Sequence, residues 1–331
     1  MDDPIVNFSI VTFNRLEMTK KCLFSLKKYT NIPHKVTVVD NCSTDGTREF
    51  LLKLREGGLI DNLFLLKKNM GVSCASNFGF DYSPAPLYMK LDNDMEILKN
   101  NWIVDIIDLW ARNAKVAILG PKLGLGKPYF YSVRLESGDL VDVNKHNLPG
   151  AATIISRDVF QTLGYWNEDY GLYGEEDADY SHRAKLAKYL LVSYDSNALL
   201  NHLGTEQNTQ IDYSDYKMEQ RRKNLNPAKG INKFALYCYL YDKGLLSLYC
   251  PRRYVPVIRG DDVDFTVDQD FLVRKKFVAA CAKTIAAIPP AGFNDTIHSD
   301  AFVARLQAMK DAMRVSDPGL RAQEPTSGNA L

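Results

Sequence analysis

Residues Leu87 to Asp94 read Leu-Tyr-Met-Lys-Leu-Asp-Asn-Asp, an apolar run that ends in two carboxylates one residue apart. A strand that delivers Asp92 and Asp94 at its carboxyl end is suited to holding a hard divalent cation, Mg2+ or Mn2+, against a diphosphate. Such ions take one or two ligands from protein carboxylates and the rest from water and substrate phosphates. In isolation Asp92-Asn93-Asp94 reads first as a turn, because Asn and Asp satisfy their own backbone. Its place in the chain changes the balance. It follows a run of strand–helix units and precedes a second acidic cluster, Glu175-Glu176-Asp177, and a lone histidine, His202.

Together these parts meet the requirements for breaking a sugar–diphosphate bond. A carboxylate pair holds a metal that neutralises charge on the leaving diphosphate. Asp40, after a second strand, is placed to accept from a base or ribose donor, and Arg15 and Lys68 can meet phosphates. A carboxylate takes the proton from an attacking hydroxyl as an oxocarbenium-like centre forms, help worth about 10²–10⁴-fold in rate.

The elements that must position these groups alternate. Ile5 to Thr12 is β-rich, and a helical stretch follows to about Tyr29. Lys35 to Val39 is the next strand. Asn41-Cys42-Ser43-Thr44-Asp45-Gly46 is a polar turn that opens a helix from Thr47 to Arg55. Leu63 to Leu66 is a strand, Ser73 to Phe80 a short helix, Leu87 to Leu91 a strand, and Asn101 to Arg112 an amphipathic helix. The pattern loosens from 121 to 149. Gly150 to Ser156 reads as a strand, Asp158 to Leu163 as a helix, Tyr165 to Gly174 as a loop, Glu176 to Tyr189 as a helix and Leu190 to Tyr194 as a last strand. Alternation of this kind predicts an α/β fold with a mostly parallel sheet and right-handed crossovers, whose ligands bind beyond the carboxyl ends of the strands. Thr12-Phe13-Asn14-Arg15, Asp40-Asn41, Lys68-Asn69 and Asp92-Asn93-Asp94 should therefore gather at one edge.

The bulk properties narrow the classes. The 331 residues fit one large domain with an extension, or two domains. With 41 basic and 40 acidic side chains the net charge is +1, which argues against a nucleic-acid partner. No Gly-x-Gly-x-x-Gly follows the first strand and no Gly-x-x-x-x-Gly-Lys-Ser/Thr occurs, so dehydrogenase-type and P-loop enzymes are disfavoured. Met1-Asp2-Asp3-Pro4 is no secretory signal, and no run approaches 18 apolar residues. Cys22, Cys42, Cys74, Cys238, Cys250 and Cys281 show neither disulfide nor zinc spacing, so reduced thiols in a cytoplasmic protein are expected. Beyond about residue 215 the composition changes. Phe234 to Tyr249 is rich in Tyr and Leu and reads as helical core before it reads as an acceptor or lipid platform. Phe302, Leu306, Met309 and Met313 mark an amphipathic helix, and Ser316 to Leu331 reads as a disordered tail. The expected division is a catalytic domain over 1–215, a mainly helical extension over 216–315 and a tail over 316–331.

On these residues the chain resembles the family-2 inverting glycosyltransferases of the GT-A (Rossmann-like) fold. The resemblance covers about residues 5 to 210. It rests on Ile10-Val11-Thr12-Phe13-Asn14-Arg15, Val38-Val39-Asp40-Asn41-Cys42-Ser43-Thr44-Asp45-Gly46-Thr47, Asn69-Met70-Gly71 with Asn77-Phe78-Gly79, Leu91-Asp92-Asn93-Asp94, Pro149-Gly150-Ala151, Tyr173-Gly174-Glu175-Glu176-Asp177 and Asn201-His202. Their order is most similar to the bacterial rhamnosyl- and galactofuranosyltransferase-like branch.

The resemblance implies roles. Thr12, Asn14, Asp40 and Asn41 would line the nucleoside pocket, with Arg15 and Lys68 on the phosphates. Asn69, Gly71 and Asn77 would shape the other wall. Asp92 would lie near the ribose or metal, Asp94 would be the principal metal ligand and His202 would complete the metal shell. Asn93, at the donor motif's middle position, would point away from the metal. Asp177 would be the catalytic base, with Glu176 supporting it or contacting the acceptor. Gly150, Ala151, Trp166, Tyr173 and Glu175 would face the acceptor. A UDP, dTDP or GDP sugar is the implied donor. A saccharide, lipid-linked or protein acceptor is implied, in bacterial cell-surface polysaccharide or glycoconjugate synthesis, with peripheral contact at the inner membrane face and homo-oligomerisation left open.

Two other readings stand beside this one. A degenerate domain that binds sugar or scaffolds a pathway would keep the fold without turnover. A sugar-1-phosphate nucleotidyltransferase shares the architecture and a metal-binding Asp, but its Gly-rich, Arg-bearing N-terminal loop is missing. Glu175-Glu176-Asp177 at a helix start also complements the helix dipole, worth about 0.3–1 kcal/mol.

Overall fold

The β-rich run Val6–Thr12 forms strand β1, nearly all of it fully buried, as expected for a strand covered on both faces. The chain then turns through Asn14 and Arg15, both left-handed (φ 57° and 65°), into helix α1 (Leu16–Tyr29). Strand β2 (His34–Asp40), helix α2 (Thr47–Glu56), strand β3 (Asn62–Leu65), helix α3 (Val72–Asp81) and strand β4 (Leu87–Asp92) continue the alternation. A short strand β5 (Met95–Ile97), helix α4 (Val104–Arg112) and strands β6 (Ile118–Pro121), β7 (Phe130–Arg134), β8 (Leu140–Asn144) and β9 (Ala152–Ser156) follow. Helices α5 (Arg157–Leu163) and α6 (Glu176–Leu186) and strands β10 (Leu191–Tyr194) and β11 (Leu200–His202) complete the first part. Beyond it lie helices α7 (Ser214–Lys223) and α8 (Lys233–Asp242), the hairpin of strands β12 (Tyr254–Arg259) and β13 (Asp262–Val267), and helices α9 (Gln269–Ala286), α10 (Phe293–His298) and α11 (Asp300–Val315). This computed structural model describes residues 3–82, 84–113, 115–116, 118–123, 125–205, 214–223, 232–259 and 262–315. The expected tail, 316–331, lies outside the described residues.

Nine strands form one sheet in the order β3-β2-β1-β4-β9-β6-β10-β8-β7. Strands β3, β2, β1 and β4 are parallel neighbours, and β10 is parallel to β6. Strand β9 runs against both β4 and β6, and β8 runs against both β10 and β7. The sheet is therefore mostly parallel, with two reversed strands. Register sets the functional edge: Thr12 pairs with Asp40, Val11 with Asp92, and Asp40 with Leu65. Because β9 is reversed, its leading residues 149–151 arrive at this same edge, where Ala152 pairs with Leu91.

The main core packs Phe8, Ile10, Leu23, Val38, Met89, Leu91, Trp102 and Ile154 between sheet and helices. A second core joins Tyr237, Leu240, Tyr241, Phe277, Cys281 and Leu306 of the C-terminal helices to Tyr170 of the first part. Phe234 to Tyr249 is thus helical core over α8, as its composition indicates. Among the described residues no helix is long and apolar enough to cross a membrane.

The structure departs from expectation in three places. The helix expected from Asn101 starts at Val104, because Asn101 sits at φ 56° and forms a turn instead. The stretch 121–149 holds the β7–β8 hairpin, in which the edge strand β7 is mostly exposed and β8 buries only Val141, Val143 and Asn144. The helical extension contains β12–β13, which packs Val263 and Phe265 over Phe78 of α3.

Candidate active site

A cleft of about 300 Å³ opens at the carboxyl edge of the sheet. Val11, Phe13, Arg15, Asn41, Asn69 and Val72 line one side, and Pro149, Gly150, Ala151, Leu172, Tyr173, Glu176 and Asp177 the other. Lys90, Asp92, Asn93, Asp94, Leu123 and His202 also line it.

The β5–β11 ribbon explains how His202 reaches Asp94. His202 pairs with Met95 across it, and the Leu203 N–H donates to the Asp94 carbonyl at 2.8 Å. Asp94 Oδ2 lies 3.5 Å from His202 Nε2 and 2.6 Å from Arg15 Nη1. Two successive left-handed residues, at about 1–2 kcal/mol each for non-glycine backbone, aim Arg15 there. The side chains fit a hard divalent cation as a two-point protein share. Neighbouring ligands on an octahedral ion with 2.1 Å bonds stand roughly 3 Å apart, close to the Asp94–His202 spacing. Gly204 leaves the room: a Cβ there would come within 2.6 Å of Asp94 Oδ2. Among the described residues no three His, Cys, Asp or Glu side chains gather around one point. The remaining ligands would therefore come from water and phosphate, the usual arrangement for Mg2+.

Asp92 does not join that pair. Its Oδ1 accepts from Lys90 Nζ at 2.6 Å. Asn93 borders the cleft and donates to Thr19 Oγ1 at 2.9 Å.

Across the cleft, Glu175 takes a left-handed conformation (φ 68°) and starts α6, so Glu176 and Asp177 sit at its first turn. Asp177 Oδ1 accepts from the Ala178 N–H at 2.8 Å and Oδ2 from the Gly150 N–H at 3.3 Å. The carboxylate is thereby fixed while remaining partly open to the cleft. Loss of water raises the Asp177 pKa, against the pull of Lys90. Glu176 is more deeply buried and accepts from the Gly174 N–H at 3.0 Å. Burial first, then the neighbouring Asp177 charge, pushes it up to about 7. Burial opposes the Lys90 ammonium, but Asp92, Glu176 and Asp177 outweigh it and raise its pKa.

Several expected residues stand elsewhere. Thr12 and Asp40 are fully buried and bonded to each other at 2.9 Å, and Asp40 also accepts from the Ser43 N–H. Oδ1 of Asp40 thus ties it to β1 and Oδ2 to the 41–46 turn. Asn14 likewise braces that turn, accepting from the Thr44 N–H at 2.8 Å. Asn77 is fully buried and bonds Trp166 N, Trp166 O and Glu168, so it staples α3 to the following loop and does not line the cleft. Trp166 is 2% exposed and packs against Tyr180, because the loop carrying it folds into the core, so it does not face an acceptor. Lys68 is exposed and Glu175 half-buried, and neither lines the cleft. Gly71 (φ 88°) abuts the Gly171 carbonyl and shapes the wall from behind.

Sequence reasoning missed Lys90. The signal was a lysine inside an otherwise apolar strand, two residues before Asp92. It also missed Val72 and Leu172, apolar lining whose role depends on loop geometry.

Residues 8–164 match the family described as Glycosyl transferase family 2. No curated protein matches the sequence. Among solved structures, the chain is similar to the mannosyltransferase PcManGT from Pyrobaculum calidifontis, solved with GDP-Man and Mn2+. The identity is 13%, over 96% of this chain and 82% of that one, with a TM-score of 0.50. It is also similar to S. aureus TarS 1-349, at 15% identity over 80% of this chain and 97% of that one, TM-score 0.49. The fold is GT-A-like, a mostly parallel sheet flanked by helices with a helical C-terminal region.

Proposed function

We propose that this protein is an inverting, metal-dependent glycosyltransferase that moves a sugar from a nucleoside-diphosphate sugar to a hydroxyl acceptor. The observation that carries the reading is one cleft in which the Asp94–His202 pair faces a backbone-anchored carboxylate, Asp177, supplied by a distant helix. The family match over 8–164 and the PcManGT complex with GDP-Man and Mn2+ support it.

Asp94 and His202 would hold the divalent cation, which when bound neutralises charge on the leaving diphosphate. Asn41, Asn69, Phe13 and Val72 line the end of the cleft suited to the nucleoside. Arg15 is placed to meet the diphosphate. Tyr173, Gly150 and Ala151 border the opposite mouth, where an acceptor hydroxyl can approach Asp177. That carboxylate takes the hydroxyl proton as the oxygen attacks the anomeric carbon from the face away from the diphosphate. The carbon–oxygen bond to the diphosphate breaks, its electron pair leaves with the diphosphate, and the configuration inverts. Backbone N–H bonds to both Asp177 oxygens keep it aimed, which a near-attack geometry requires. Two deeper expectations belong to the same proposal: the rhamnosyl- or galactofuranosyltransferase-like branch, and a C-terminal extension over 216–315 built onto a catalytic domain.

Incubation with UDP-, dTDP- and GDP-sugars and Mn2+, following release of the nucleoside diphosphate, tests the reading. One donor class should turn over, and Asp177→Asn should lose about 10²–10⁴-fold in kcat while nucleotide binding persists. Unchanged turnover in Asp177→Asn would remove Asp177 as the base. Silence with every donor would favour a degenerate sugar-binding domain.

A further inference from the structure

A lysine in the middle of a central strand is costly to bury unless it is paired. Lys90 is 3% exposed, between the fully buried Met89 and Leu91. Its Nζ donates to Asp92 Oδ1 at 2.6 Å and to the Gly150 carbonyl at 2.9 Å. The same peptide residue, Gly150, donates its N–H to Asp177 Oδ2 at 3.3 Å. An unbroken chain therefore runs from Asp92 on β4, through Lys90 and Gly150 at the mouth of β9, to Asp177 on α6. Gly150 is where the chain is tightest, since a Cβ there would sit 3.2 Å from Lys90 Nζ and 3.5 Å from Asp177 Cβ.

We propose that Lys90 is a positioning residue that withholds Asp92 from the cation and fixes Asp177 at a set distance from the donor end of β4. The inference deepens the transferase reading and rests on it for its kinetic part. The strand motif offers two carboxylates, yet the one that Lys90 engages does not group with Asp94 and His202. The cation then keeps open positions for both diphosphate and water. Holding the Gly150 carbonyl, in the 150–151 peptide, also steadies the Gly150 Cα and with it the adjoining 149–150 peptide, whose N–H donates to Asp177. Lys90 sits in the cleft floor, almost wholly buried, and acts through these partners.

The first arm is a Mn2+ titration of the full chain without nucleotide, read by the EPR signal of free Mn2+. Lys90→Met should bind Mn2+ about three- to tenfold more tightly, because Asp92 becomes available as an added charged ligand. Asp92→Asn should match wild type within about twofold, and the double variant Lys90→Met/Asp92→Asn should return to wild type. Asp92→Asn weakening Mn2+ tenfold would show that Asp92 already ligates and would overturn the proposal, as would Lys90→Met binding no tighter than wild type. The second arm is kinetic. Lys90→Met should lower kcat about 10–100-fold with donor KM within threefold, the range for outer partners of a metal site. Lys90→Arg keeps the charge but replaces the compact ammonium with a longer, planar guanidinium that does not fit between Asp92 and Gly150, and should remain at least about fivefold below wild type. Full recovery in Lys90→Arg would mean that charge alone matters, and would overturn positioning. If Lys90→Met does not fold, Asp92→Asn and Lys90→Arg still decide. If the wild type turns over no nucleotide sugar, the transferase reading falls while the Mn2+ arm still tests Lys90.

Discussion

The Arg15 guanidinium stands 2.6 Å from the Asp94 carboxylate, at the position where a cation held by Asp94 and His202 would compete with it. Arg15 is one-fifth exposed and Asp94 8%, so the pair is partly shielded and stronger than a surface contact. A cation entering must displace the guanidinium, and an arriving diphosphate offers that guanidinium a bidentate partner. Metal and donor binding should therefore assist each other. Arg15→Gln removes the competitor and the phosphate contact together. Mn2+ binding without nucleotide should tighten about three- to tenfold, while donor KM rises by a similar factor. Isothermal titration with Mn2+, with and without nucleoside diphosphate, reads both. Mn2+ affinity unchanged in Arg15→Gln would show that the ion pair does not occupy the cation's place.

Glu176 gives a pH dependence with a definite sign. Burial and Asp177 raise its pKa from 4.5 to about 7, so the folded protein favours the protonated acid. Its contribution to stability is full below about pH 4.5 and is lost as pH rises through about 7. Asp177, shifted the same way, adds to that slope. Melting temperature should fall between pH 5 and 8, and Glu176→Gln should flatten the fall because the amide does not ionise. Parallel curves for the two proteins would show that Glu176 is not the group responsible.

Asn77 and Trp166 were expected at the site, yet the structure assigns them to the scaffold. Asn77 makes three hydrogen bonds across 89 to 91 residues of chain, all buried. Asn77→Ala leaves the Trp166 N–H and carbonyl and Glu168 short of partners, at about 1–3 kcal/mol per buried group orphaned. Denaturant unfolding should show a loss of at least about 2 kcal/mol. Donor KM, measured below the melting point, should stay within about threefold. A large KM change with intact stability would return Asn77 to the donor pocket.

The parallel half of the sheet was legible because β1, β2 and β4 are rich in β-branched and apolar residues, each ending in a polar residue at the same edge. Asp94 and His202 were legible as residue types, but the β5–β11 ribbon that joins them is too short to show periodicity. Residues 121–149 hid two strands because the apolar Tyr131 and Leu140 are exposed, which blurs the alternation that the buried Val141 and Val143 set up. Asp40 and Thr12 look like ligand contacts in sequence, but pair with each other once β1 and β2 are in register. Lys90 escaped notice because its meaning depends on Gly150 and Asp177, which lie 60 and 87 residues away in sequence.

Gly71 couples the two walls of the cleft. It sits at φ 88°, where an L side chain is strained, and a Cβ would fall 2.4 Å from the Gly171 carbonyl oxygen and 2.9 Å from Leu172 Cα. The next residue, Val72, donates its N–H to the Leu172 carbonyl at 3.2 Å. The start of α3, beside Asn69 and Val72 on one wall, is thus pinned to the loop that carries Leu172 and Tyr173 on the other. Gly71→Ala must move one against the other. The backbone strain alone costs about 1–2 kcal/mol, which should lower the melting temperature by a few degrees. Displacing a positioned wall by about 1 Å can cost about 10²-fold in rate, so kcat/KM should drop far more than stability, with acceptor and donor KM rising together. Asn69→Ala, on the same loop but without a steric clash, serves as the comparison and should raise donor KM alone. If Gly71→Ala turns over normally despite its lowered melting point, the two walls are not coupled through this contact.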